Sequence, residues 1–133
     1  MKKLTMGLVI MVATIAIAAL GQPVTIHMAG DSTMAPKRES RRPETGWGEA
    51  LAELLNPNEF VIDNRAVNGR STKSFIDEGR WQALIDTTMP GDWVFIQFGH
   101  NDEKEASPER YSSPANYRKN LQRFVTDVRA KKA

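Results

Sequence analysis

The run Trp93-Val94-Phe95-Ile96-Gln97-Phe98 restricts the possible folds of this chain more than any other stretch. Only Gln97 in it is polar, and the turn residues Pro90-Gly91 and Gly99 bound it on either side. A short, nearly continuous apolar run between turn residues is typical of a parallel strand that is buried on both faces. The run therefore predicts a strand over residues 93–98 in a parallel sheet.

Two weaker strand patterns come earlier, at Val24 to Ala29 and at Phe60 to Ile62, and helical patterns lie between the strands and after the last one. Apolar residues recur there at helical spacing. They are Trp47, Leu51, Leu54 and Leu55 in the first pattern, Phe75 and Ile76 in the second, Trp81, Leu84 and Ile85 in the third, and Tyr117, Leu121, Phe124, Val125 and Val128 in the last. Ser113 is suited to be the N-cap of the last helix, with Pro114 at its first position. Alternation of strands and helices predicts a parallel sheet with helices on both faces.

The amino terminus has the order of a secretory signal peptide. Lys2 and Lys3 precede a mostly apolar run from Leu8 to Leu20, and Ala19-Leu20-Gly21 offers a small-x-small cleavage site. The alternative is a retained membrane anchor, but the run is shorter than the ~20 residues that a spanning helix needs. We therefore predict a signal peptide over 1–21, a domain over 22–133, and a secreted or periplasmic protein without membrane contact after cleavage.

Charge and cysteine content exclude several partners. The chain has 18 basic and 16 acidic residues, and removal of Lys2 and Lys3 leaves 18 − 2 = 16 basic ones, so the mature chain is formally neutral. A neutral chain gives no overall indication of nucleic-acid binding. Cysteine is absent, which rules out disulfides and cysteine-ligated zinc.

The loops after the three predicted strands hold the candidate site. In a parallel sheet these loops meet at the carboxyl edge, where ligands bind. Ser32 follows the first strand and can act as a nucleophile, while Gly69 can turn a backbone N–H towards the same space. Asn101 follows the third strand and offers an amide donor. Together with the N–H of Ser32, these groups could form an oxyanion hole.

Three motifs, in order, carry a resemblance to a known family. Gly30-Asp31-Ser32-Thr33, Asn68-Gly69 and Gly99-His100-Asn101-Asp102 resemble the first three sequence blocks of the SGNH (GDSL-type) hydrolases. The longer stretches Gly46-Trp47-Gly48, Asn68-Gly69-Arg70-Ser71 and Phe98-Gly99-His100-Asn101-Asp102 are similar to rhamnogalacturonan acetylesterases within that superfamily.

The resemblance implies an α/β fold, namely a flavodoxin-like three-layer α/β/α sandwich with a parallel sheet of order 2-1-3-4-5, here truncated after about three β-α units. It implies that Ser32 is the nucleophile and that Ser32, Gly69 and Asn101 form the oxyanion hole, with Asp31 and His100 in support. It also implies that no metal or organic cofactor is needed.

One element of the family is missing from this sequence. The family places the base and its carboxylate in an Asp-x-x-His block, which these 133 residues do not contain. His27 lies in the middle of the first strand, where a packed or hydrogen-bonded core residue is expected. His100 belongs to the loop that aims Asn101, and its use as a substitute base is the alternative. We therefore interpret the chain as the N-terminal part of an esterase and expect it to be inactive alone, since a serine without its histidine loses on the order of 10⁶ in turnover.

The implied function is a secreted serine carbohydrate esterase that removes O-acetyl groups from pectin-type polysaccharide (rhamnogalacturonan) through an acetyl-serine intermediate. Basic residues on the loop after Ser32, Lys37, Arg38, Arg41 and Arg42, together with Arg70, could bind carboxylates of this acidic polymer; a solvated loop is the alternative. Other readings are a non-catalytic carbohydrate-binding remnant, another SGNH-type lipase or esterase, and a nucleotide or phosphate binder. The last is disfavoured because the first loop lacks a glycine-rich phosphate cradle.

The implied sheet order also predicts an exposed edge. Without a fourth strand, residues 93–98 would form a flat apolar edge, which favours aggregation or pairing with another chain. We therefore expect residues 22–133 to be poorly soluble or to self-associate through this strand.

Overall fold

The computed structural model describes residues 21–133, which fold around a three-stranded parallel sheet. The strands are β1 (Val24–Gly30), β2 (Phe60–Asn64) and β3 (Trp93–Gln97), in the order β2-β1-β3. The predicted parallel sheet with a central first strand is therefore confirmed. The predicted signal peptide over 1–21 lies, except for residue 21, outside the described residues.

Four α-helices connect and follow the strands in the described part of the chain. They are α1 (Trp47–Leu54), α2 (Thr72–Asp77), α3 (Arg80–Thr87) and α4 (Pro114–Ala130), and a 3₁₀ turn covers Glu39–Arg41. The Ser113 hydroxyl caps α4 by accepting a hydrogen bond from the N–H of Asn116 at 3.3 Å, as predicted. Among residues 21–133, no helix is both long and apolar enough to cross a membrane.

The sheet separates two apolar clusters, which makes the fold a three-layer sandwich. On one face, residues of β1 and the loops after it pack with α1; the buried members are Ile26, Met28, Met34, Ala35 and Ala66. On the other face, residues of α2, α3 and α4 pack on the sheet; the buried members are Ala29, Phe75, Trp81, Leu84, Ile85, Phe98 and Phe124. Trp81 stacks on Phe124 with ring centroids 3.9 Å apart. Full burial of such side chains stabilises a fold by about 1.5–3 kcal/mol each.

Local details differ from the sequence expectations. Strand β2 continues through Asp63 and Asn64 because both polar side chains find partners in the fold. Leu54 is 81% exposed, so it does not belong to the apolar face of α1. Strand β3 is an edge strand of the described sheet and is not fully buried, since Trp93 is 57% exposed. Self-association through this strand stays a prediction.

A polar group around the buried ring of His27, which we call the His27 cluster, consists of His27 and the partly exposed residues Asp63, Asp92 and Arg65. The ring of His27 lies between two carboxylates, with Nδ1 at 2.8 Å from Asp63 Oδ2 and Nε2 at 3.2 Å from Asp92 Oδ2. Asp63 also accepts from Arg65 Nε at 2.6 Å, and Asp92 accepts from two backbone N–H groups. The prediction that His27 is a hydrogen-bonded core residue is confirmed.

Candidate active site

The turn after β1 presents Ser32 at the carboxyl edge of the sheet. Asp31 is fully buried, and its Oδ1 accepts a hydrogen bond from the N–H of Thr33 at 2.9 Å. Its backbone carbonyl accepts from the N–H of Ala35 at 3.0 Å. Aspartate commonly stabilises a turn by such a hydrogen bond from its side chain to the backbone two residues further on. Ser32 is half-buried, and no hydrogen-bond partner of its hydroxyl is found in the part of the chain that the structure describes.

The first residues of α1 are hydrogen-bonded to the turn that carries Ser32. The N–H of Trp47 donates to the Thr33 carbonyl at 3.0 Å, and the N–H of Gly48 donates to the Met34 carbonyl at 3.2 Å. A β-carbon on Gly46 would lie 2.0 Å from the Ala35 carbonyl oxygen, so this close approach requires glycine. The Gly-Trp-Gly motif can be recognised in the sequence, but its contacts with the Ser32 turn are seen only in the structure.

Lys37 fixes the same turn from inside the protein. Its side chain is only 5% exposed; the ammonium group donates to the Ser32 carbonyl and lies 3.1 Å from Glu44 Oε1. A buried charge needs such partners. The expectation that Lys37 contributes to a substrate-binding surface is therefore wrong, because the ammonium is buried against the backbone of the turn.

The other predicted oxyanion donors lie at the same edge and are tied to this turn. The N–H of Val67 donates to the Gly30 carbonyl at 3.0 Å, which joins the loop after β2 to the end of β1. Within that loop, Gly69 has φ of +76°, a conformation that favours glycine. Asn101 is buried, and its Nδ2 donates to the carbonyl of Arg70, the neighbour of Gly69, at 3.0 Å. The structure thus brings together the loops that carry Ser32, Gly69 and Asn101.

Asp102 anchors the loop that carries Asn101. Its buried carboxylate accepts from the N–H of Thr72 at 3.0 Å and from the Thr72 hydroxyl at 2.5 Å, and thereby ties this loop to the first residue of α2. Burial raises the pKa of Asp102, and the hydrogen bonds from Thr72 oppose this increase. The sequence motif contains Asp102, but its role depends on a contact across 30 residues.

Asp31 and His100 are near each other, but they differ in their surroundings. Asp31 Oδ2 accepts from Gln97 Nε2 at 3.3 Å and lies 3.7 Å from Nδ1 of His100. The His100 side chain is 67% exposed, and no hydrogen bond between it and Ser32 is found among residues 21–133. His100 therefore lies beside the site without being placed on the nucleophile.

The arginines proposed to bind substrate each have a carboxylate partner. Arg41 Nη2 lies 2.7 Å from Glu44, and Arg70 Nε lies 3.1 Å from Glu78. Arg42 is hydrogen-bonded to Glu49 and lowers the pKa of that carboxyl group. The guanidinium groups of Arg41 and Arg42 lie at the exposed surface of the loop after Ser32, and the role of these three arginines in binding stays a prediction.

Comparison with known proteins identifies the family of this chain. A model of the GDSL-like lipase/acylhydrolase family matches residues 28–133. The chain belongs to this family. A probable rhamnogalacturonan acetylesterase, YesY of Bacillus subtilis, is 42% identical over 109 residues, which cover 81% of this chain and 49% of that protein. A rhamnogalacturonan acetylesterase of Emericella nidulans is 47% identical over 85 residues, covering 64% of this chain and 30% of that protein.

A solved structure has the same fold as this chain. The crystal structure of the Bacillus subtilis protein YxiM superimposes with a TM-score of 0.75 at 26% identity, covering 84% of this chain and 31% of that one. The predicted family and the α/β fold class are therefore confirmed. The chain spans half or less of the length of these relatives.

Proposed function

We propose that this chain supplies the nucleophile and the oxyanion donors of a serine esterase that acts on acetylated carbohydrate. The observation that carries the proposal is the hydrogen bond from Asn101 to the Arg70 carbonyl, since it holds an amide donor beside Gly69 at the sheet edge that presents Ser32. One oxyanion donor of this kind is typically worth about 2.7–4 kcal/mol in the transition state.

The reaction follows from these groups. Ser32 Oγ attacks the acetyl carbonyl carbon and loses its proton to a base, while the N–H groups of Ser32 and Gly69 and the Asn101 amide stabilise the oxyanion. The bond to the sugar oxygen then breaks, and the sugar leaves with a proton. Water hydrolyses the acetyl-serine, which releases acetate and restores the hydroxyl group.

We further infer that the substrate is a pectin-type polysaccharide, rhamnogalacturonan, and that the protein acts outside the cytoplasm. The names of the relatives support this inference. Arg41, Arg42 and Arg70 would bind carboxylates of the polymer. Their present partners do not prevent this, because exposed ion pairs are worth only about 0–1 kcal/mol, so a substrate carboxylate can replace a glutamate at little cost.

Neither histidine of the described residues is placed as the base. His27 is enclosed by carboxylates in the core, and His100 is not bonded to Ser32 in the described residues. We therefore expect the 133-residue chain to acetylate Ser32 slowly and to be accelerated by free imidazole, which can accept the proton from the solvent side.

The test is intact-mass analysis of the chain after exposure to p-nitrophenyl acetate, with and without imidazole. We expect one acetyl group on Ser32, with a rate that increases with imidazole concentration, and none at that position in Ser32→Ala. If Ser32 stays unmodified at every imidazole concentration, the esterase proposal is wrong, and carbohydrate binding without catalysis becomes the better account.

Substrate recognition has a separate test. Arg41→Gln/Arg42→Gln should weaken the binding of oligogalacturonate in titration calorimetry by several-fold and leave acetylation by the neutral aryl ester unchanged. Arg129→Gln, on α4, is the matched control. Equal affinity of the double variant and the control would refute the contact.

A further inference from the structure

We propose that Lys104 is a positioning residue that orients and polarises the Asn101 amide as an oxyanion donor. The proposal rests on the proposed esterase function. Lys104 Nζ donates a hydrogen bond to Asn101 Oδ1 at 2.8 Å, and Asn101 Nδ2 donates to the Arg70 carbonyl at 3.0 Å. The Asn101 amide is therefore held at both ends.

These two contacts allow one orientation of the amide. An ammonium group can only donate a hydrogen bond, and a backbone carbonyl can only accept one. A flipped Asn101 would direct its oxygen at the Arg70 carbonyl and its NH₂ group at the Lys104 ammonium, and would lose both hydrogen bonds. Because the Arg70 carbonyl uses one of the two N–H bonds of Nδ2, the second stays available for the substrate oxyanion.

The charge on Lys104 also strengthens the donor. A cation on the amide oxygen withdraws electron density from the nitrogen, so the free N–H becomes a better donor, as in other charge-assisted and cooperative hydrogen bonds. No carboxylate lies within ion-pair distance of Lys104 Nζ among the described residues, so its charge is not neutralised by a partner there. Lys104 itself is exposed, and solvent screening moderates the effect.

Local backbone bonds keep Lys104 beside Asn101. The N–H of Lys104 lies 3.4 Å from the Asn101 carbonyl in a turn, and the Lys104 carbonyl accepts from the N–H of Ser107 at 2.9 Å. Asp102, within the same turn, is bonded to α2. Since the turn is fixed from both sides, loss of the Lys104 side chain should release the amide without unfolding the loop.

The experiment compares Lys104→Met, which removes the charge and the donor, with Lys104→Arg, which keeps both. Lys119→Met, at an exposed position on α4, is the matched control. In ¹H–¹⁵N spectra of the 133-residue protein, we expect the side-chain NH₂ signals of Asn101 to move in Lys104→Met, to stay near their original positions in Lys104→Arg, and not to move in the control.

A second measurement uses imidazole-supported acetylation of Ser32. Because Lys104 acts on a donor and is not itself one, the maximal rate should fall about tenfold in Lys104→Met, less than the loss of the donor itself. The half-saturating ester concentration should be unchanged, and Lys104→Arg should recover most of the rate.

The two measurements separate the failures. Unmoved Asn101 signals in Lys104→Met, or moved signals with an unchanged acetylation rate, would overturn the role of Lys104. If the unmodified protein is not acetylated at all, the esterase proposal fails, and the spectra alone decide whether Lys104 orients the amide.

Discussion

The two histidines of this chain each lie near a carboxylate, but in opposite surroundings. His27 is 3% exposed and lies between Asp63 and Asp92 in the middle of the sheet, at 2.8 and 3.2 Å. His100 is 67% exposed at the carboxyl edge, and its nitrogen lies 3.7 Å from Asp31, beyond hydrogen-bonding distance. A histidine beside an aspartate is therefore part of the hydrogen-bonded core in one place and exposed to solvent in the other.

Hydrogen-bond satisfaction explains the difference. In the His27 cluster, both ring nitrogens are engaged, so removal of the ring takes one hydrogen-bond partner from each carboxylate, although Asp63 keeps Arg65 and Asp92 keeps its backbone donors. At the carboxyl edge of the sheet, Thr33 and Gln97 already donate hydrogen bonds to Asp31, and His100 adds none. This contrast leads to opposite expectations for stability and reactivity.

The largest effect is expected from His27→Leu. Removal of the ring takes one hydrogen bond from each of two carboxylates, and the loss of a hydrogen bond to a charged group typically costs about 1.5–3 kcal/mol in the free energy of unfolding. Urea denaturation at neutral pH measures this loss. The matched control is His100→Leu, which should change stability by less than about 0.5 kcal/mol. Similar losses in the two variants would show that burial does not separate the two histidines.

A smaller effect separates the carboxylates of the two regions at acid pH. In the His27 cluster, burial raises the pKa of Asp92, but the Met89 and Thr25 N–H groups and the His27 ring outweigh it, so the pKa lies below its ordinary 3.8. Asp92 therefore stabilises the folded state above that pH, and this contribution is lost as the pH falls through the lowered pKa. Burial of Asp102 raises its pKa, so its ionised form costs stability, and this cost disappears as the pH falls.

The two asparagine variants should thus shift acid stability in opposite directions. When the pH is lowered from about 7 to about 3, the free energy of unfolding should decrease less in Asp92→Asn than in the unchanged protein. In Asp102→Asn it should decrease more. Urea denaturation across this range checks the prediction. Shifts of the same sign in both variants would contradict the assignment of the two pKa changes.

The sequence predicted what depends on local signals and missed what depends on distant partners. The apolar run of β3 and the Ser113-Pro114 start of α4 mark their elements directly, and both are found within a residue of the expected bounds. The sequence predicts a loop at Asp63, which lies in β2, because nothing nearby in sequence shows that His27 will contact it. The buried position of Lys37 is not predictable for the same reason, since its partners are defined only when the turn folds back.

The same limit applies to the site. Nucleophile and oxyanion candidates could be predicted because each follows a strand and belongs to a recognisable motif. Other residues hold these candidates in place through contacts between segments far apart in sequence. Gly46 packs closely against Ala35 after the Ser32 turn, and Asp102 accepts a hydrogen bond from the start of α2. Periodicity and turn residues carry no information about such contacts.

The smallest effect is expected from His100→Gln, which tests whether the exposed histidine takes part in the chemistry. Because His100 has no hydrogen bond to Ser32 in the described residues, imidazole-supported acetylation of Ser32 should change by less than about twofold, against the 10²–10⁴-fold that a general base contributes. The rate of acetylation without imidazole is the more sensitive test of whether His100 acts as a base. If that rate falls to the level of Ser32→Ala in His100→Gln, then His100 moves onto the nucleophile and acts as its base, and the comparison of the two histidines becomes one between a structural and a catalytic residue.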